Sequence, residues 1–246
     1  MKLIDRIDTR IASLDGMLLM AIVLMATLIA GQIIGALVGS VMASLLDSLF
    51  DMPSATHFVI PTGLLFAFGV CLWLVRRNLL ADEGVRPVDI GLASSRLGIA
   101  ASLGLVVLLY FGASFLAGAY AQLVGYEGQK TMTEMIRTTG GDNIAARGLM
   151  VFSVVIMGPV VEELVFRGYL QSGLTKRFGP YVGIGISSVV FAGYHFQPEA
   201  FVVLLVVGAA FGLAYHLTRS LWPAILLHML NNAAFIVNLF YFEGTP

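Results

Sequence analysis

Long stretches without a single charged residue run through this chain and leave few folds open to it. They are Gly16–Leu46, Met52–Val75, Leu97–Tyr126, Phe178–Pro198, Ala200–Thr218 and Ser220–Phe242. A helix of about 20 apolar residues crosses a bilayer core of about 30 Å, so each stretch is long enough to span. In lipid every backbone polar group must be satisfied internally, and continuous apolar runs of this length do that as helices. A further window, Gly148–Val161, reaches spanning length only by continuing through Glu162 and Glu163 to about Leu174. The expected fold is therefore all-α: a polytopic transmembrane helical bundle of about seven spans. Hydrophobic residues at 58%, charged residues at 12% and a mean hydropathy of +0.90 exclude a water-soluble globular domain and a disordered chain alike. The length suits one integral membrane domain, residues 1–246.

Net charge and cysteine content exclude further classes. A net charge of -1 offers no polybasic face, so no nucleic-acid partner is expected; membrane lipids are the expected surroundings. Cys71 is the sole cysteine, which rules out an internal disulfide and a cysteine cluster for zinc. The first apolar run begins late and far exceeds a signal-peptide core, so a cleavable signal peptide is not expected.

Basic residues give an orientation. With seven spans, Lys2, Arg6, Arg10, Arg76, Arg77, Arg86, Arg96, Lys176, Arg177 and Arg219 share the side of the N-terminus, against Lys130, Arg137 and Arg147 opposite. The positive-inside rule then places the N-terminus in the cytoplasm, and the cell inner membrane is the expected location. The outer connection Gly125–Arg147 carries a Gly140-Gly141 turn signal. Small residues at four-residue spacing, Gly31, Gly35 and Gly39 in the first span and Gly208 and Gly212 in the sixth, are expected to let helices approach closely.

Against this apolar background the adjacent Glu162 and Glu163 stand out. A carboxylate in hydrocarbon is costly unless paired or wetted, so such residues mark function. Glu163 and Arg167 are four apart with the acid first, the favourable order for an ion pair on one helix face. Glu162 is turned about 100° away. The spacing expects Glu163 to be neutralised by Arg167 and Glu162 to face a cavity, although both could serve helix packing alone. A turn is expected at Gly179-Pro180, with proline in the first turn of the next helix. Glu162 lies 17 positions before Gly179 and His195 lies 15 after Pro180, so an antiparallel hairpin brings them to similar depth. There they could share a proton or a water. In the last span, His228 and Asn232 are four apart and face one way, as donors for an oxyanion or a polar ligand. Asn231 points elsewhere, and His57 and His216 fall near span ends. His228 is closer to its Arg219 turn than His195 is to its own. The residues meet if the Lys176–Pro180 turn protrudes by about two helical turns, roughly 10 Å.

Taken in order, Glu162-Glu163 with Arg167, Phe191 with His195, and His228 with Asn232 resemble the motifs of the CaaX-protease and bacteriocin-processing (Abi) family. These are intramembrane proteases of the type II CAAX prenyl endopeptidase kind. The motif-bearing core is residues 148–242; the first three spans carry no matching motif. The resemblance implies a catalytic cavity open to the cytoplasm and a hydrophobic peptide or lipid-associated protein as substrate. It implies that Glu162 and His195 activate water and that His228 and Asn232 form an oxyanion hole, with Glu163, Arg167 and Phe191 in support. No cofactor is expected. A zinc reading of the same residues stays open, since one carboxylate and two imidazoles are a known catalytic set. Gly-x-Ser-x-Gly and His-Glu-x-x-His are absent, and the aspartates lie outside the charge-free windows, so serine, zincin and aspartyl mechanisms lack their signatures. A transporter using the same groups as a proton relay, or a scaffold or bacteriocin-immunity protein, is the alternative.

Overall fold

The computed structural model describes residues 4–81, 85–126, 128, 133, 134, 136 and 143–241, with the side chains of 4–15 and of 241 left aside. Among them every regular element is a helix. α1 is Ile4–Phe50, α2 Val59–Leu80, α3 Gly98–Val124, α4 the run Ile144–Phe178, α5 Pro180–Tyr194, α6 Phe201–Thr218 and α7 Leu221–Tyr241. Short 3-10 turns at Pro53–Phe58, Pro87–Ile90 and Pro198–Ala200 join them, each opened by a proline whose fixed φ suits a first turn. The turn expected at Gly140-Gly141, with Lys130 and Arg137, lies outside the described residues.

Among the described residues six helices are long and apolar enough to cross a membrane, and α5 is a shorter apolar one. The protein is an integral, multi-pass membrane protein. The difference from seven full spans lies in α5. Its charge-free window runs on to Pro198, but the helix stops at Tyr194 and has only 15 residues, about 22 Å of rise. Phe196 follows with φ of 52° and Gln197 leads into the proline turn, so the window's last residues reverse the chain instead of extending the helix. Hydropathy alone cannot see this, because Phe196 and Pro198 carry no charge. α1 differs in the other direction. It runs to Phe50 and takes Asp47 into its last turn, at the end of a 35-residue apolar stretch longer than a bilayer core.

The chain divides into two compact units. One comprises Met1–Val23, Arg77–Gly128 and Glu162–His228; the other comprises Leu24–Arg76, Gln129–Val161 and Met229–Pro246.

In the second unit, α1 and α2 cross antiparallel on the predicted glycine ridge. A Cβ on Gly31 would lie 2.7 Å from the Cβ of Ala67, one on Gly35 2.5 Å from the Cα of Gly63, and one on Gly39 3.1 Å from Val59. Backbone lies against backbone, which only the missing side chains permit. Met150, Ile236, Leu239 and Ile136 form an apolar cluster in the same unit.

In the first unit, α5 packs on α6 and on the second half of α4, and α6 also packs on α3. The connection between α2 and α3 folds over this group. Gly91, at φ of 78°, lies under the ring of Tyr215 and accepts from the amide of Leu221 at 2.9 Å. Arg86 donates to Asp89 at 2.8 Å, and Lys176, just before the α4–α5 turn, lies 3.7 Å from Asp89. The Arg86 hydrogen bond holds the Asp89 carboxyl below the usual carboxylate range.

The glycine ridge yields a paired expectation. Gly35→Val drives a branched side chain into the Gly63 backbone and should destabilise by about 1–3 kcal/mol. Gly104→Ala, with nothing within 4 Å of the new atom, should leave melting unchanged or raised. Thermal melting of the two variants in detergent measures the contrast.

Candidate active site

α4 is not a regular α-helix. It opens on Asn143, whose side chain accepts from the amides of Ala145 and Ala146, and it widens into π turns at Ser153–Met157 and Leu164–Gln171. Pro159 has no N–H for the carbonyl one turn before it, and the first π turn ends just ahead of it. Glu162 and Glu163 occupy the short α-helical piece between the two π turns. Such bulges expose carbonyls and recur at functional sites. In the first turn the carbonyl of Val154 accepts from Nδ2 of Asn232 at 2.9 Å, and in the second the carbonyl of Arg167 accepts from the Ser172 amide and from its Oγ at 3.1 Å.

The predicted Glu163–Arg167 pair is present. Nη1 of Arg167 lies 3.0 Å from Oε1 of Glu163, and both side chains are 0% exposed. Arg167 also donates through Nη2 to the carbonyl of Gly208 at 2.8 Å. Its guanidinium lies 4.6 Å from the ring centre of Phe191 and 5.3 Å from that of Phe211. One turn on, Gln171 donates to the carbonyl of Gly212 at 2.9 Å. The stripe on α6 thus does more than allow close packing. Its bare glycine backbone receives the polar side chains of α4, and a Cβ on Gly212 would sit 2.7 Å from Oε1 of Gln171.

Glu162 faces the other way, as its 100° offset requires. Its Oε2 stands 4.0 Å from Nε2 of His195 and 3.9 Å from Nε2 of His228. Phe191 holds the group together from the inside. Its carbonyl bonds Nδ1 of His195 at 2.7 Å, and its ring touches those of Phe166, Phe211, His195 and His228. His195 is not within a helix as expected. It is the residue that ends α5, held by the Phe191 carbonyl four positions back. The equal-arm argument still brings it level with Glu162, because it depends on distance from the turn at Gly179.

His228 departs from the sequence reading in one respect. Its Nδ1 lies 2.9 Å from Oε1 of Glu163, so the second glutamate serves Arg167 and His228 together. The His228 ring stacks on Phe211 at 4.5 Å and 22°. Phe211 and Gln171 were not singled out from sequence, and Gly208 was expected only to allow close packing. The available signal was the matching four-residue step of Arg167-Gln171 and Gly208-Gly212. Asn232 stands one turn beyond His228 on α7 and belongs to the second unit. Besides its bond to Val154, its Oδ1 accepts from Asn231 at 3.3 Å, so Asn231 is its neighbour and not turned elsewhere. Outside the spans, burial pushes the Tyr126 hydroxyl up to about 12, and the nearby Glu199 adds to it.

With the geometry in place, comparison with known proteins is informative. Residues 145–234 match the family model described as type II CAAX prenyl endopeptidase Rce1-like. Over this segment the chain is similar to that family. The segment contains all three motifs. A protein named "Putative membrane peptidase YdiL", from Bacillus subtilis strain 168, is 28% identical over 96 residues, 39% of this chain and 39% of that one. The membrane-embedded CAAX protease MroQ of Staphylococcus aureus strain USA300 is 30% identical over 95 residues, 36% of this chain and 38% of that one. The chain thus matches about two fifths of the length of these relatives. No solved structure matches it.

The zinc reading can be tested on spacing. Ligands at about 2.0–2.1 Å from a tetrahedral zinc lie roughly 3.3 Å from one another. The separations of 4.0 and 3.9 Å from Glu162 to the two imidazoles are wider. Among the described residues no group of three His, Cys, Asp or Glu side chains is placed to hold a metal. The donors suit zinc in kind but not in arrangement.

The buried pair generates a stability test. Arg167→Ala leaves Glu163 charged and unpaired in an apolar interior and should cost about 3–5 kcal/mol. The double change Glu163→Gln with Arg167→Met removes both charges and should melt closer to wild type. Equal damage in the single and double variants would show that Arg167 is not there to neutralise Glu163.

Proposed function

We propose that this protein is an intramembrane endopeptidase that hydrolyses a peptide bond in a hydrophobic or membrane-associated peptide. The observation that carries the reading is the convergence of Nε2 of His195 and Nε2 of His228 on one oxygen of Glu162, each within 4.0 Å. A water bound among these atoms has a carboxylate to take its proton and an imidazole to orient it. Glu162 is the general base and His195 its partner, with Nδ1 of His195 occupied by the Phe191 carbonyl so that Nε2 is the nitrogen presented. His228 and Asn232 are the oxyanion donors; one turn of α7 separates them. Asn232 has one N–H engaged by Val154 and a second for substrate. Glu163, Arg167 and Phe191 support the site without touching the scissile bond.

The family match over residues 145–234 supports a peptidase, and its description supports a prenylated C-terminal tail as one substrate class. The reading needs no metal, no nucleic acid and no partner beyond substrate and lipid. The distribution of arginine and lysine supports an N-terminus in the cytoplasm and a site open to that side of the inner membrane.

The test is cleavage of a quenched hydrophobic peptide by purified protein in detergent. Glu162→Gln should fold as wild type and lose a factor on the order of 10²–10⁴ in rate, as for a missing general base. Asn232→Ala should lower kcat by roughly 10²–10³ with KM little changed. Near-normal turnover by Glu162→Gln would end the base assignment; no turnover by wild type on any hydrophobic peptide would favour a transport or scaffold role. A strong chelator should leave activity in place, and stoichiometric zinc that tracks activity through removal and return would replace the metal-free mechanism.

A further inference from the structure

We infer that Glu163 is a positioning residue that fixes the tautomer of His228, making His228 the group that carries the proton to the leaving amine; this rests on the peptidase reading above. Oε1 of Glu163 is 3.0 Å from Arg167 and 2.9 Å from Nδ1 of His228. An ion-paired carboxylate accepts and does not donate, so the proton between Glu163 and His228 belongs to Nδ1 of the histidine. In the neutral ring Nε2 is then a lone pair, directed at the side of Glu162. His195 is constrained in the same way. A backbone carbonyl only accepts, so the 2.7 Å contact with Phe191 also puts its proton on Nδ1.

Two further acceptors, Nε2 of His195 and Nε2 of His228, therefore lie within 4.0 Å of Oε2 of Glu162. Neutral His228 has no Nε2 proton to offer an oxyanion. It becomes a donor only after accepting one. The groups facing it are Glu163 at Nδ1, Glu162 at Nε2, Arg167 behind Glu163, and the rings of Phe191 and Phe211. The His228 ring stacks on Phe211 and meets Phe191 edge-on. A carboxylate on Nδ1 and a reacting group on Nε2 is the arrangement by which the aspartate of serine proteases sets the tautomer of its histidine.

The proton path follows and balances. An O–H bond of water breaks as its oxygen bonds the substrate carbonyl carbon, and the proton goes to Glu162. Glu162 passes it to Nε2 of His228 and is again a carboxylate. The Nε2–H then hydrogen-bonds the oxyanion and is delivered to the amide nitrogen as the C–N bond breaks, leaving His228 neutral. The products are an amine and a carboxylic acid, whose proton goes to solvent. Nothing is oxidised or reduced.

The experiment reads the tautomer directly. Full-length protein labelled with 15N-histidine in detergent micelles is examined by NMR under alkaline conditions, where imidazole rings are neutral, with His228 assigned by loss of its signal in His228→Asn. A protonated Nδ1 and a bare Nε2 are expected; a proton on Nε2 overturns the inference, and neither result needs substrate. The double variant Glu163→Gln with Arg167→Met, which removes both buried charges together, should then show a mixed or reversed tautomer. It should also lose a factor on the order of 10²–10⁴ in kcat with KM unchanged. Unchanged kcat, or a change confined to KM, in a double variant that melts like wild type overturns the shuttle. If Glu162→Gln retains full turnover, the peptidase mechanism above fails and the shuttle with it, while the tautomer measurement still answers for the Glu163–His228 contact.

Discussion

A glutamate and an arginine without exposed surface, inside a chain whose mean hydropathy is +0.90, persist only if each meets the other and little else is left unpaired. The surrounding residues meet that requirement in part, since Oε2 of Glu163 and Nε of Arg167 are buried without a hydrogen-bond partner. Arg167 spends its second nitrogen on a backbone carbonyl that is open to it because Gly208 has no side chain, and it is sandwiched near two phenylalanine faces that tolerate a cation. Glu163 uses one oxygen for both Arg167 and His228. Removing any one member disturbs the others, so the pair fixes how α4, α6 and the start of α7 meet. That in turn fixes the imidazole presented to Glu162.

Irregular backbone does the rest of the positioning. An unbroken α-helix through Ile144–Phe178 would present Glu162 and Glu163 on a continuous ladder with every interior carbonyl used. In the two π turns side-chain donors reach the backbone: Nδ2 of Asn232 bonds the carbonyl of Val154, and Oγ of Ser172 joins the Ser172 amide on the carbonyl of Arg167. Further along, α5 stops after 15 residues, and the chain turns back through Phe196 and the Pro198 turn. The arm from Glu162 to the Gly179 turn is about as long as the arm from that turn to His195, so the short helix ends with its histidine beside Glu162. A full-length span would carry the same histidine in a rigid ladder, with its Nδ1 partner still four residues back but no chain reversal beside it.

Much of this was legible in the sequence. Charge-free windows gave the helices because lipid leaves the backbone no alternative. Glu163 with Arg167 was legible because helical spacing is set by local geometry, and Glu162 with His195 because both are counted from one turn marked by glycine and proline. The three motifs were legible in order, and they coincide with the segment that matches a known family.

Less local features were not. The end of α5 at Tyr194 was hidden because the residues after it, His195 to Pro198, include no acidic residue, lysine or arginine, and a charge-free window does not distinguish a chain reversal from a helix. The roles of Gly208, Gly212 and Phe211 were hidden because a glycine's value lies in what approaches it from another helix. The Glu163–His228 contact joins residues 65 apart, and no spacing rule reaches across two intervening helices. Sequence by itself determined the solvent, the helical class, the ion pair and the residue types of the site, all consequences of composition and local periodicity. Only tertiary structure decided which glutamate each histidine meets, because that depends on how separate helices pack and on which backbone atoms their glycines leave bare.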